Sequence, residues 1–394
     1  MRARRVRLSL SIAVSALIGA AAWWSWPRLD PDRVRREVQT DIEAGRWAQA
    51  RAGLRRLEPL RAATPHDWVL RARVATAAGE DDEALDALRH VPDGHPLAAQ
   101  TAFMAGRIEL AHHRARRAEA AYRRAIARDP GMISAHKELI YIFGMQFRRH
   151  EVDAEFKALA HLAPLTHREL LAWGFTHFGV GGPDIVKRLE AFIQADPDDR
   201  YSRLALATSL VRFPTMEAKV ERALAPLPQN DPDALALRVE LKLNHGRVDE
   251  ALEMLREAPE HNAHLARLRG RFALMRGDRA AAVRYFQDAL SDEPFDRASL
   301  SEIGKALRIR SDKSAAQGYL ARAQSLDAIY NRIHRTSQPD RENQPADLLQ
   351  LGGACEAAGL RDEARGWYSL AIDRNPMDTA AQQALYRLRL PSGP

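Results

Sequence analysis

Pro96, Pro130 and Pro164 stand 34 residues apart, Pro197 follows after 33 and Pro232 after 35, and Pro294 and Pro376 recur in the same kind of context. A recurrence at this interval means one supersecondary unit repeated along the chain, so repeats decide the architecture before length does. With each of these prolines at position 32, units begin at about 31, 65, 99, 133, 166, 201, 232, 263, 297 and 345. Position 20 then reads Ala50, Ala84, Ala118, Val152, Ile185, Val220, Ala251, Ala282, Ala316 and Ala364. Position 24 reads Leu54, Leu88, Tyr122, Phe156, Leu189, Leu224, Leu255, Phe286, Leu320 and Tyr368. Position 27 reads Leu57, Val91, Ala125, Leu159, Phe192, Leu227, Ala258, Ala289, Ala323 and Ala371. All of these are apolar, at spacings of four and three, which is one stripe of a helix. Gly45, Gly79, Gly246, Gly277 and Gly359 share position 15, where a turn between two helices calls for positive φ. Small residues at positions 8 and 20 let two helices approach, and the large residue at 24 fills the space beside them. One hairpin cannot bury its stripe alone, so neighbours stack into an all-α array.

The pattern resembles the tetratricopeptide repeat (TPR) family, with Trp, Leu, Gly and Tyr at positions 4, 7, 8 and 11 and Ala, Phe, Ala and Pro at 20, 24, 27 and 32. Residues 263–296 carry Gly270, Gly277, Ala282, Phe286, Ala289 and Pro294, and residues 345–378 carry Leu351, Gly352, Gly359, Ala364, Tyr368, Ala371 and Pro376. The likeness spans about 31–378. It implies a right-handed superhelical solenoid of about ten hairpins. The units at 201 and 232 depart most: their junction is compressed, and Arg238 stands where the family has Leu. Repeats are expected over 31–328 and 345–378, an insertion loop over 329–344 in which Ile329, Tyr330 and Ile333 extend a helix before a polar stretch, and a capping helix with tail over 379–394.

Residues 8–26 contain no charge and end in Trp23, Trp24 and Trp26 before Pro27. Nineteen helical residues span about 28 Å, close to the roughly 30 Å hydrocarbon core. Residues 1–28 therefore read as a basic N-terminus with a transmembrane helix whose Trp cluster sits at the interface. The alternative is a signal peptide cleaved near Ala20-Ala21-Ala22. The basic N-terminus places the body on the non-cytoplasmic side, while Arg28, Arg33, Arg35 and Arg36 argue the other way. These first 28 residues hold five arginines and no acid, so only +2 of the net +7 belongs to the rest. No global field for nucleic acid remains.

One cysteine, Cys355, excludes a disulfide framework and a four-Cys zinc ribbon. It falls at a core position and reads as a small hydrophobe. His112-His113 reads as a turn, and Gly179–Asp184 as an enlarged turn without a phosphate loop's Lys-Ser/Thr. No His-Glu-x-x-His pattern occurs. Neither cofactor, metal nor catalytic set is therefore expected. The family resemblance implies a groove lined by positions 2, 5, 9, 12 and 13 of each first helix. At 5 and 9 it places the cations Arg35, Arg73, Arg107, Lys137, Arg267, Arg271 and Lys305, with Phe103, Tyr141 and Phe178 beside them as apolar contacts. The expected function is a membrane-anchored scaffold or assembly factor binding a peptide or partner domain in this groove, whose basic side chains suit an acidic partner. The alternatives are an exported component of a secretion or envelope-assembly complex, and a non-catalytic subunit guiding an enzyme.

Overall fold

The computed structural model describes residues 30–176, 183–309, 313–337 and 344–389. The apolar run 8–26, Phe178 and the segment 338–343 lie outside the described residues. Among the described residues every regular element is helical, and no helix is long and apolar enough to cross a membrane. The chain divides into two compact units at Ile108/Glu109.

The first unit holds α1 (Pro31–Glu43), α2 (Trp47–Leu57), α3 (Pro65–Ala78), α4 (Asp81–Arg89) and all but the end of α5 (Ala98–Ala111). The helix starts are written locally. Thr64 accepts from the Asp67 amide while the Asp67 carboxylate accepts from the Thr64 amide, a reciprocal capping box with Pro65 in the first turn. α1 and α2 pack as an antiparallel pair over Val38, Ile42, Ala50 and Leu54, and the next pair packs over Ala75, Ala84 and Leu88.

The second unit continues with α6 (Ala115–Arg128), α7 (Ile133–Met145), α8 (Arg149–Leu162), α9 (His167–Thr176), α10 (Pro183–Ala195), α11 (Arg200–Leu210) and α12 (Glu217–Leu224). It is completed by α13 (Pro232–Asn244), α14 (Val248–Glu257), α15 (Ala263–Met275), α16 (Arg279–Asp292), α17 (Arg297–Ile309), α18 (Lys313–Thr336), α19 (Pro345–Ala358), α20 (Arg361–Arg374) and α21 (Thr379–Arg389). Of the apolar residues at positions 20, 24 and 27, all are buried except Ile185 and Leu320, which are half-buried. The close approach is measurable. A Cβ placed on Gly270 would lie 2.7 Å from the Phe286 ring, and one on Gly304 would lie 2.5 Å from Leu320. A Cβ on Gly352 would collide with the Tyr368 ring.

The five glycines at position 15 all have φ between +70° and +88°. In two of the repeats that lack Gly there, His113 and Phe147 take the same left-handed conformation, at φ 60° and 55°, while Thr215 of the repeat beginning at 201 lies instead in a short 3-10 turn, Pro214–Met216. The turn geometry thus overrides residue preference, because the hairpin packing on both sides demands it.

The boundary expected for the insertion loop is displaced. α18 runs through Thr336, and Ile329 and Ile333 are fully buried on it, so the helical part of 329–344 belongs to the core. The polar stretch begins at Ser337. The compressed junction also has a cause. Pro232 is itself the first residue of α13, capped by Asp231, rather than a turn residue ahead of the helix. The final helix α21 buries Leu388 and leaves Tyr386 exposed.

Phe286→Ala should cost about 3–5 kcal/mol through lost burial and a cavity. Gly270→Val should cost about 1–3 kcal/mol by overpacking the same contact. Met275→Ala, at an exposed position, should be nearly neutral. Denaturant unfolding midpoints of the three variants check the order.

Candidate partner-binding surface

In the first unit, Arg73 on α3 is half-buried and Arg107 on α5 is exposed. Both occupy position 9 of consecutive repeats, and neither makes an ion pair among the described residues. Phe103, half-buried, lies one helical turn before Arg107.

The cations of the second unit are differently placed. Lys137 on α7 reaches Glu169 of α9 at 2.7 Å. Arg267 on α15 lies 3.5 Å from Asp296, and Lys305 on α17 is 2.7 Å from Glu302 of its own helix. Only Arg271 of this set stays exposed with no ion pair among the described residues. It still acts at a distance. Burial pushes the Glu240 carboxyl up, but the His264 hydrogen bond at 2.9 Å and the charges of Arg267 and Arg271 bring it below its ordinary value. Tyr141 is half-buried on α7. A continuous wall of available cations is therefore not what this unit presents.

Its inner surface is instead filled by the chain itself. The segment Gln146–Glu151 and the helices α11, α13 and α15 line an open pocket of about 490 Å³. The Arg148 guanidinium is sandwiched between the rings of Phe143 and Tyr201, 4.3 and 3.9 Å from their centroids. It donates to Glu119, Glu151 and Gln146. Burial lowers its proton affinity, yet these carboxylates more than offset that, so it is a fixed cation. Gln146 in turn donates to Asp199 and Ser202. Arg149 reaches Glu293 at 3.3 Å, and Lys157 on α8 lies 3.8 Å from Asp362 on α20. The long-range part of this was not legible, because Glu119, Asp199, Tyr201, Glu293 and Asp362 lie tens of residues or more from their partners and no local motif marks them.

α9 completes the closure. Trp173 stacks on Phe156 of α8 at 5.2 Å and donates its indole N–H to Asp153. The other face of α9 packs on α18 and α20. Leu170 lies over Gly366, Gly174 faces Ile333, and the His167 ring meets Trp367 edge-on at 5.9 Å.

Arg238, at the family's Leu position, caps a helix. Its guanidinium donates to the carbonyls of Leu224, Leu227, Pro228 and Gln229 beyond the end of α12. Arg269 stands at the same position one repeat later and donates to Leu255, Ala258, Pro259 and Glu260 around the end of α14. The cationic head satisfies carbonyls that a helix end leaves open, which a leucine cannot do. The buried Cys355 thiol is pushed up by burial and, secondarily, by Glu363, which keeps it protonated. Among the described residues no cluster of His, Cys, Asp and Glu is arranged to hold a metal.

No protein-family model matches the chain. A curated relative, "Cellulose synthase 1 operon protein C" of Komagataeibacter xylinus, is 26% identical over 190 residues, which is 47% of this chain and 14% of that protein. The chain thus spans a small part of that relative. Among solved structures it is similar to the Cut9–Hcn1 hetero-tetramer of the APC/C, at TM-score 0.38 and 14% identity over 98% of this chain and 95% of that one. It is also similar to the TPR domain of P58(IPK), at TM-score 0.31 and 17% identity, covering 83% of this chain and 97% of that one. A tetratricopeptide repeat protein from Parabacteroides merdae gives TM-score 0.32 and 15% identity, covering 62% and 98%. The repeated hairpins, the left-handed residue at position 15 of seven repeats and the small-against-large contact define a helical repeat fold of the tetratricopeptide type.

Arg238→Ala and Arg269→Ala should each destabilise by about 1–2 kcal/mol, since several carbonyls lose a charged donor, whereas Arg271→Ala should leave stability unchanged. Thermal melts of the three variants check this. Acid should act through Asp231. Its burial raises the carboxyl, but Arg200 and the amides of Asp233 and Ala234 bring it below the usual range. That stabilisation is present above the unfolded value of about 3.9 and is lost as pH falls through the lower folded value. The stability difference between wild type and Asp231→Asn should therefore be largest near neutrality and shrink as pH falls below the unfolded value.

Proposed function

We propose that this chain is a non-catalytic protein-binding scaffold, tethered to a membrane by residues 8–26 with its body on the non-cytoplasmic side. It takes an acidic peptide or partner domain on the first helices of its N-terminal repeats. The observation that carries the binding surface is the contrast among the cations at positions 5 and 9. Arg73 and Arg107, at position 9 of consecutive repeats, make no ion pair among the described residues, nor does Arg271, while Arg35, Lys137, Arg267 and Lys305 are each engaged by a carboxylate of the same chain. A cation without an internal partner is free to meet an external one, and Phe103 adds apolar area beside Arg107.

The tether rests on the uncharged run ending in three tryptophans before Pro27. A second reading is favoured by Ala20-Ala21-Ala22, which suits removal of the segment and an exported component of a secretion or envelope-assembly complex. The partly matching relative is by its name a cellulose synthase operon protein. A component of a multi-protein apparatus fits the scaffold reading, and the small share of that relative matched assigns no polysaccharide to this chain.

Crosslinking pull-down from the native membrane, repeated with Arg73→Glu/Arg107→Glu, tests the surface. Each exposed contact contributes about 0.2–1 kcal/mol alone, and the charge reversal adds repulsion. Capture should fall by about ten-fold or more and weaken as salt rises, with helicity unchanged. Capture that survives both changes rejects the site. N-terminal sequencing of the mature protein separates the tether, which keeps residue 1 or 2, from the cleaved form, which begins near Trp23.

A further inference from the structure

Three first helices of the second unit end in an exposed apolar side chain at the same repeat position. Position 13 is Phe213 just past α11, Met275 at the end of α15 and Ile309 at the end of α17, and these are 47%, 63% and 60% exposed. Met216, in the 3-10 turn after Phe213, is exposed as well. Each of the three is the chain neighbour of an exposed arginine, Arg212, Arg276 or Arg308. The Arg212 guanidinium lies 5.2 Å from the centre of the Phe213 ring, and none of the three arginines makes an ion pair among the described residues. At the same position the repeats beginning at 31, 65, 99 and 345 carry only Glu43, Ala77, Ala111 and Ala357.

Equivalent positions of stacked hairpins stand in a row. α11, α13 and α15 pack in succession, and α17 packs against α16 of the preceding hairpin, so the C-terminal ends of these first helices lie along one edge of the unit. The repeat beginning at 232 interrupts the row with Asn244 and with His245, which meets Glu217 at 3.3 Å. The acids of this edge are largely engaged. Glu217 also accepts from Arg247, Glu250 meets Lys242 at 3.0 Å, and Asp278 accepts from the Ala281 amide at 2.9 Å as the cap of α16. Asp249 sits in the first turn of α14, where the helix end offsets its charge. A scattered exposed apolar residue needs no explanation, but a large apolar tip beside an uncompensated cation, three times at one repeat position, has the make-up of an interfacial surface. There the apolar atoms leave water while the guanidinium stays level with charged headgroups.

We propose that this edge of the second unit contacts a bilayer of anionic phospholipid. Phe213, Met275 and Ile309 enter the boundary between headgroups and acyl chains, and Arg212, Arg276 and Arg308 meet the lipid phosphates. The occupant is a lipid surface for two reasons. The contacts are separate tips along an edge, which a plane meets together, and every tip pairs an apolar group with a cation that has no counter-ion of its own. The inference rests on the reading that residues 8–26 hold the chain at a membrane, and deepens it: the tether brings the body to the bilayer, and this edge orients the second unit on it.

The probe is the environment-sensitive dye NBD on Met275→Cys of the full chain, where the buried Cys355 stays unlabelled. The chain is mixed with phosphatidylcholine vesicles, with or without phosphatidylglycerol, that carry a doxyl quencher in the upper acyl chain. With anionic vesicles the emission should shift to the blue and be quenched, whereas a dye on Arg284→Cys, midway along α16, should do neither. Arg212→Glu/Arg276→Glu/Arg308→Glu, or high salt, should abolish both signals with helicity unchanged. If the reversed chain loses helicity, the corresponding glutamine variant carries the decision. A folded chain whose dye at 275 neither shifts nor is quenched by anionic vesicles overturns the proposal and leaves a protein partner as the occupant of the edge. Equal quenching in neutral vesicles that survives the reversal overturns it as well, since the arginines then meet no phosphate. Flotation of the same samples reports the tether separately. A chain that floats with neutral vesicles while its dye stays in water keeps the tether and loses the edge. A chain that floats only with anionic vesicles, and not after the reversal, loses the tether and keeps the edge.

Discussion

The tightest hairpins depend on a missing side chain. Two helices joined by a short turn bring an aromatic or large aliphatic residue closest to the facing helix where that backbone carries nothing beyond Cα. Gly270 under Phe286, Gly352 under Tyr368 and Gly304 under Leu320 are three instances of one contact. Alanine at position 20 completes it from the second helix. The large residue at 24 then gains dispersion contacts on every side, which a gap of even one methylene would forfeit. Everything else in the array, from stacking of neighbouring hairpins to the spacing of exposed side chains along successive first helices, inherits its geometry from that approach.

A stack of such hairpins leaves one side-chain row after another on its inner face, and the two units use that face differently. In the second unit the row is spent internally. Arg148 is clamped between two rings and three polar partners, Arg149 meets Glu293, and Lys137 meets Glu169. These contacts join segments as far apart as α8 and the end of α16, so they close the unit rather than merely extend it. The first unit keeps Arg73 and Arg107 without internal counter-ions. The proposed recognition by charge rests on those two side chains, whereas in the closed unit even the notch at Gly366 is filled by the chain's own Leu170.

The sequence carried the hairpin well and the closure not at all. The stripe at positions 20, 24 and 27 and the glycines at 15 are local signals, each fixed by a requirement within one repeat, and they reappear in the structure as buried residues and positive φ. His113 and Phe147 show the limit of that logic. The turn they occupy needs the same backbone, but the residue type no longer announces it. Arg238 looked like a defect because the position was judged by the family's leucine, whereas its function is to bind carbonyls at the end of another helix. The helical part of 329–344 was half legible, since Ile329, Tyr330 and Ile333 keep a helical spacing, but what buries Ile333 is Gly174, more than a hundred residues earlier. Lys137, Arg267 and Lys305 were legible as cations and not as paired cations, because pairing is a property of the folded neighbourhood.

The closure of the second unit through α9 is the claim on which the account of that unit turns. It is tested most directly by disulfide trapping of Leu170→Cys with Gly366→Cys in a Cys355→Ala background, with mild oxidant added to the folded chain. The account predicts rapid formation of the intramolecular bond, seen as a mobility shift reversed by reductant, with helicity retained. A folded, helical chain in which the two thiols stay free under the same oxidant would contradict it, and would mean that α9 does not lie on α20.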